Sequence, residues 1–478
     1  MRRRGTIWWL AVPLTVLAGP GCAPLVPFRN QPVGIMTGTP HGLYAATLHL
    51  PFSGSVTTRL AAEPTRNGFR ANSRPGTLGE LQGGASGAWV NLVGVADCPG
   101  GVLLHWTSSA PTDTEPARGV LHCPMLAPLA TTLRTVDQPV ELRTPDNGRL
   151  VGLLTLEPGA VDTGPLRDYA ALADEAAAVL AEQLFDPQLV TAADTRAFLA
   201  DVHRIARLAQ DDAEFLAGWF VAARRLAFSH CYLSRALDPE AGAQLARAQQ
   251  GAEEPGPEAP LAFAVADQIA TLRIRKFDEG LEPQIDGAFA ELDRLGAAAL
   301  ILDLRGNPGG TFSAARVAAH LIDAPLDGGI FFTRRARQRV LAGQTDSFPR
   351  VSALASVTEF YARLDESGAL VWRVEPVAPH FAGPVVILID RAVASAAEPL
   401  VAGLHEAGRT ILIGEHTAGV MLSMQPFPLS GGWILSVPTA DYLTARGIRI
   451  EGRGVRPDIE TPSAAAPSAA RAYLAKRI

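Results

Sequence analysis

Ala298-Ala299-Leu300-Ile301-Leu302-Asp303-Leu304-Arg305-Gly306-Asn307-Pro308-Gly309-Gly310 runs from an apolar stretch straight into a glycine turn, and Ser313–Ile322 then carries a helical pattern. A short apolar run bounded by turn residues reads as a strand buried on both faces, as in sheets covered by helices. The pattern repeats on either side. Ile269–Arg275 reads as a strand and Gly287–Leu295 as a helix. Pro384–Asp390 reads as a buried strand, Ala396–Ala407 as a helix, and Thr410–Gly414 and Trp433–Pro438 as strands. Alternating elements of this kind predict an α/β layered domain over residues 258–462.

Two turns in this domain have the composition of a chemical site. In Asp303–Gly310 the paired glycines let backbone N–H groups face a ligand without side-chain obstruction, which suits an anion or a developing oxyanion. A tight structural turn satisfies the same pattern, and no Gly-Lys-Ser/Thr follows, as a nucleotide loop requires. In Val393-Ala394-Ser395-Ala396-Ala397-Glu398 a serine stands between a strand and a helix. There the helix dipole favours negative charge and the Ala396 amide faces the same side. Ser is also a common N-cap, and on the pattern alone capping is the better explanation of the residue.

In this order and spacing the two segments resemble the tail-specific (C-terminal processing) serine protease family and its tricorn-like branch. Ile413-Gly414-Glu415-His416-Thr417-Ala418-Gly419 and Gly452-Arg453-Gly454-Val455-Arg456-Pro457-Asp458 are similar to two further motifs of that family. The resemblance covers about 200 residues and implies a mostly parallel, ClpP/crotonase-like core, a peptide or protein substrate and no cofactor; the cysteine spacing matches no zinc pattern, so no metal site is expected. It places Ser395 at the nucleophile position. The Ser–Lys branch carries its lysine just after the Gly of the Thr-x-Gly turn, where this chain has Val420; its two lysines, Lys276 and Lys476, match no catalytic motif. The tricorn-like branch implies another base. Phe228-Ser229-His230-Cys231 is similar to that branch's upstream His segment, which implies His230 as general base with Ser229 and Glu451 supporting it. The implied oxyanion hole is the Ala396 amide with Gly309 and Gly310. No PDZ domain fits between His230 and Ile269. The resemblance extends to interphotoreceptor retinoid-binding proteins, so an inactive or hydrophobic-ligand-binding protein is the competing reading. An imidazole nitrogen about 2.6–3.2 Å from Ser395 Oγ, or slightly farther without substrate, favours the enzyme, and spatial separation of the two side chains favours the binder.

Outside this core, residues 31–160 alternate short apolar runs with Gly, Pro, Asn and Asp and predict a β-rich domain. Residues 165–248 have helical periodicity over Leu166–Leu184, Thr191–Leu208 and Ala213–Phe228. Residues 463–478 read as a C-terminal tail. The insert from Phe331 to Phe381, with Arg334-Arg335-Ala336-Arg337, reads either as a lid or as a solvated excursion. At the start, Arg2–Arg4, the apolar Ile7–Leu17 and small residues before Cys22 form a secretory signal over residues 1–22. The signal resembles the lipoprotein type, which implies lipidation of Cys22, a membrane contact through that anchor alone and a bacterial cell-envelope location; a simple cleaved secretory signal is the competing reading. Export allows Cys98 and Cys123 to pair. The net charge of −6 lacks the basic footprint of a nucleic-acid binder.

Overall fold

The computed structural model describes the backbone of eight N-terminal strands between residues 42 and 158, and residues 168–209, 212–237, 239–244, 260–352, 354 and 356–478. Cys22 and the whole signal segment lie outside the described residues, as do the side chains of Cys98 and Cys123.

The N-terminal strands are β1 (Gly42–Leu50), β2 (Gly54–Thr65), β3 (Gly68–Ser73), β4 (Val90–Cys98), β5 (Gly101–Ser108), β6 (Ala117–Pro124), β7 (Thr135–Arg143) and β8 (Arg149–Pro158). Each pairs antiparallel with the next, and β1 pairs with β8, closing an eight-stranded up-and-down barrel. Closure leaves no open sheet edge. Cys98 and Cys123 fall on β4 and β6, which β5 separates.

Four helices follow: α1 (Tyr169–Gln183), α2 (Pro187–Val190), α3 (Ala193–Leu208) and α4 (Asp212–Ala223). Asp168 caps α1 by accepting from the Ala171 amide at 2.9 Å. Leu172, Ala176 and Leu180 recur at helical spacing on its buried face, packing with Phe198, Phe215 and Trp219. The same cluster includes Leu429, Trp433, Leu435 and Val437 from the C-terminal half. The helices therefore share a core with a sheet of the α/β domain. Strand β9 (Tyr232–Arg235) completes the junction by pairing antiparallel with residues 433–436.

The α/β domain is built on two sheets. The first has the order β10 (Leu261–Ala266), β11 (Ile269–Ile274), β12 (Ala299–Asp303), β16 (Val385–Ile389), β17 (Thr410–Gly414) and β20 (Ile459–Glu460), parallel except at the β10–β11 hairpin. Asp267 and Gln268 at that hairpin both have positive φ, as a two-residue turn demands. The second has the order β14 (Arg350–Val351), β15 (Ala369–Val374), β13 (Leu326–Thr333), β19 (Trp433–Thr444) and β18 (Ser423–Leu429), with β9 also on β19.

Strands β12 and β16 are buried at every residue, because both faces are covered. On one face lie α5 (Glu282–Arg294), α6 (Ala314–Leu321) and α9 (Ala397–Glu406), sharing a core with the second sheet. The other face is covered by α10 (Ala466–Leu474), whose Ala466, Ala470 and Leu474 pack on Ile301, Val386, Leu388 and Ile413. The segment read as a tail is therefore a structural layer. The Phe331–Phe381 insert is likewise no loose excursion. It contributes β15, β14, α7 (Arg337–Leu341) and α8 (Val357–Ser367), and Phe360, Leu364, Leu370 and Trp372 enter the core. Its arginines are spent on neighbouring elements: Arg334 donates to the Ala181 and Glu182 carbonyls, Arg335 to that of Asp365, and Arg337 pairs with Asp186 at 2.6 Å.

Candidate active site

The glycine signature and the serine turn stand side by side at the C-terminal ends of β12 and β16, where ligands of open α/β sheets collect. The Gly306 amide donates to Asp390 Oδ1 at 3.0 Å, and the Ala394 amide donates to the Asn307 carbonyl at 3.1 Å. Asn307 is fully buried; its Nδ2 donates to the Ile274 carbonyl and its Oδ1 accepts from the Gly309 amide at 2.8 Å. Gly309 has φ +95°, and a Cβ there would lie 2.7 Å from Ser395 Cβ and 2.6 Å from the Ala394 carbonyl oxygen. At Gly310, φ is +134° and a Cβ would meet the Phe277 carbonyl at 2.1 Å. Both positions demand glycine because backbone approaches backbone there.

Ser395 does not cap its helix. The N-cap of α9 is Ala396, and no side-chain cap bond is present. Ser395 instead adopts φ +50°, a strained conformation for a non-glycine residue. Its amide is held by the Val420 carbonyl at 2.9 Å. Its hydroxyl makes no hydrogen bond among the described residues and faces a cavity of about 240 Å³, which Ser395 lines together with His230, Gly310 and Ala396. Among the described residues, the amides of Gly310 and Ala396 donate to no protein acceptor. Gly309 differs: its amide is committed to Asn307, so of the glycine pair only Gly310 has a free donor.

His230 reaches this cavity because β9, directly after it, is a strand of the second sheet. It too has positive φ, +62°. Ser229 Oγ lies 2.6 Å from His230 Nδ1 and donates to Glu451 Oε2 at 3.0 Å. Since that hydroxyl proton goes to the carboxylate, the oxygen accepts from Nδ1–H, and the imidazole is left with a bare Nε2. Glu451, itself buried, also accepts from the Ser229 amide at 2.8 Å and the Met421 amide at 2.7 Å. Burial drives the His230 pKa down to about 4, so the ring is neutral at pH 7. No hydrogen bond joins Ser395 Oγ to the ring among the described residues. Catalytic bonds of this kind commonly tighten only in the substrate complex.

In the sequence, one further carboxylate stands only as part of a motif. Glu398 stands three residues after Ser395 and is fully buried. It accepts from Thr417 Oγ1 at 2.5 Å, the Gly419 amide at 2.8 Å and the Val420 amide at 2.9 Å. Burial raises its pKa, and the Thr417 hydroxyl and the two amides oppose that rise. Glu398 thus fastens the turn whose Val420 carbonyl holds Ser395. The spacing Ser-x-x-Glu suggests a capping box in the sequence, but in the fold the carboxylate turns to another loop.

Part of this arrangement lies on a segment with known relatives. Residues 268–461 match the model of peptidase family S41. Over 197 residues the chain is 28% identical to the chloroplastic C-terminal processing peptidase of Tetradesmus obliquus, covering 41% of this chain and 36% of that one. Over 194 residues it is 27% identical to the carboxy-terminal processing protease CtpA of Bacillus subtilis, covering 41% and 35%. The chain thus spans little more than a third of the length of these curated relatives. Among solved structures, a photosystem II D1 C-terminal processing protease overlaps 62% of this chain and 93% of its own, at 18% identity and a TM-score of 0.40. The S41 segment takes in the glycine signature, Ser395, Glu398 and Glu451, whereas Ser229 and His230 come from outside it, on the helical side of β9.

Proposed function

We propose that the protein is a serine peptidase in which Ser395 is the nucleophile, His230 the general base, and Ser229 and Glu451 a relay that orients and polarises the base. The observation that carries the reading is the Glu451–Ser229–His230 hydrogen-bond chain opening into the same cavity as an uncapped Ser395 and two free amides. In the acylation step Ser395 Oγ bonds to the substrate carbonyl carbon as its proton passes to His230 Nε2. The carbonyl oxygen becomes an oxyanion to which the Gly310 and Ala396 amides donate; one such donor lowers the barrier by about 3 kcal/mol. The proton then goes to the leaving amine as the C–N bond breaks, and water releases the acyl group by the reverse route. Glu451 stabilises the transient imidazolium through Ser229. A neutral imidazole with a bare Nε2 is the form this step needs. Gly309 serves by close packing and not as a donor.

Purified mature protein treated with a fluorophosphonate serine-hydrolase probe is expected to label, and Ser395→Ala and His230→Ala are expected to abolish labelling. Folded wild-type protein that does not label refutes the assignment. We also infer export and lipid attachment at Cys22 from the N-terminal signal. Incorporation of a fatty-acid analogue in cells, lost in Cys22→Ser, tests that inference. Among the described residues no helix is long and apolar enough to cross a membrane.

A further inference from the structure

The cavity beside Ser395 has a composition that the catalytic groups do not require. Beyond His230, Gly310, Ser395 and Ala396, its walls are almost entirely apolar. Phe331, Phe360 and Trp372 are buried members of the domain core, while Phe312, Met421 and Met424 complete the enclosure. The remaining polar residues of the lining are Thr311, Ser423 and Tyr361, and the Tyr361 hydroxyl donates to the Met424 carbonyl. The tyrosine ring is therefore left as an apolar surface. Burial accordingly pushes the Tyr361 pKa up.

Charge is absent from the wall for a structural reason. Arginines on the surrounding elements are each engaged elsewhere: Arg316 with Asp286 at 2.5 Å, Arg363 with Glu359, and the Arg334–Arg337 run with α1 and its flank and the end of α8. Among the described residues, none of the cavity's walls is a Lys or Arg. A chain-terminal carboxylate placed there would be desolvated without a partner, at a cost of several kcal/mol. An apolar side chain would instead gain about 25 cal/mol for each Å² removed from water. At about 240 Å³ the space is smaller than the roughly 300–1,000 Å³ of pockets that enclose a whole drug-sized ligand. It fits one large side chain.

Resting on the peptidase reading above, we infer that this cavity is the specificity pocket, and that the enzyme cleaves internal peptide bonds adjoining a large apolar or aromatic residue. Binding energy comes from burying that side chain against Phe331, Phe360 and Trp372. The substrate backbone lies across Ser395 and the Gly310 and Ala396 amides. Among the described residues, this cavity offers no cation to a free C-terminus.

The test uses the mature full chain and a synthetic peptide library read by mass spectrometry, with each peptide made as free acid and as amide. Phe, Tyr, Leu and Met are expected to be enriched at one position adjoining the cut, with kcat/KM at least tenfold above matched Ala, Asp or Lys peptides. Amidation is expected to change the rate less than twofold. Met424→Glu, which puts a carboxylate on the half-buried rim, is expected to lower kcat/KM for the Phe peptide at least tenfold and to raise it for the Lys peptide. Ser395-dependent probe labelling together with equal cleavage of Phe, Ala and Lys peptides overturns the pocket and leaves the nucleophile standing. So does strict dependence on a free C-terminal carboxylate. Absence of both labelling and cleavage overturns the peptidase reading and the pocket with it.

Discussion

Ser229→Ala isolates the relay without touching either reacting group. In the wild-type chain Ser229 Oγ both donates to Glu451 Oε2 at 3.0 Å and accepts from His230 Nδ1 at 2.6 Å. Removing it leaves Nδ1–H without its protein acceptor and frees the ring to take the other tautomer, in which Nε2 is protonated and cannot act as a base. A buried donor left unmatched costs about 1–3 kcal/mol, or roughly 5- to 150-fold in rate at 1.36 kcal/mol per tenfold. Glu451 keeps its bonds from the Ser229 and Met421 amides, so the backbone of the site is retained. The assay is the second-order rate of fluorophosphonate labelling, with a thermal melt to establish folding. Glu451→Gln is expected to lower the same rate, because the imidazolium loses its counter-charge. Residues that act as a unit are non-additive. The double variant is therefore expected to be no slower than the slower single variant. Wild-type labelling by a well-folded Ser229→Ala protein refutes the relay, and fully additive losses in the double variant refute the chain linking the two residues.

The lowered pKa of His230 sets the pH dependence: the base is competent when neutral, so kcat/KM should rise with pH through about 4 and be level at 7. An acid limb centred near 6.5, the ordinary histidine value, contradicts the burial argument. Gly309→Ala should destabilise the fold by about 1–3 kcal/mol, the usual cost of overpacking, and should also displace Ser395; a denaturation curve and the labelling rate read the two effects, and wild-type behaviour in both would contradict the contact distances. Leu474→Ala should cost about 2–5 kcal/mol in chemical denaturation by emptying the layer between α10 and the first sheet. Labelling per folded molecule should stay within twofold, because that layer lies on the sheet face away from the site.

Local signals in the sequence sufficed where the structure is local. The apolar run at Ala298–Leu302 followed by glycines forms a strand, a turn and a helix start, and Thr410–Gly414 is a strand with those same ends. What was not legible depends on long-range pairing. Strand β9 is four residues long and has no pattern of its own; its partner is Trp433–Ser436, about two hundred residues later. Ser229 and His230 were found through their motif, but what brings them to the cavity is that pairing. The insert was ambiguous because α8 and β15 are short and bury residues against one another, so each alone resembles a surface excursion. Barrel closure likewise requires β1 to meet β8, which alternation within a strand does not encode. Glu398 was hidden by its position: a glutamate in the first turn of a helix is ordinary, and only the fold turns it toward Thr417, Gly419 and Val420.

These pieces share one reference point, the backbone from Thr417 to Met421. Glu398 holds it from one side through Thr417, Gly419 and Val420, and Glu451 holds it from the other through Met421. Val420 also accepts the amide of Ser395, while Glu451 accepts both the amide and the hydroxyl of Ser229. Ser395 and His230 are 165 residues apart in sequence (395 − 230), yet each is keyed to one of two consecutive residues on this strip. Both hold positive φ, a strain that persists only where surrounding contacts over-determine the backbone. Val420 is also where the lysine-dependent branch carries its base. Here the residue's backbone carbonyl holds the Ser395 amide and its side chain is aliphatic. On the proposed mechanism, positioning of the nucleophile is thereby separated from the supply of the base, and a histidine on β9's side of the cavity takes the second role without rebuilding the first.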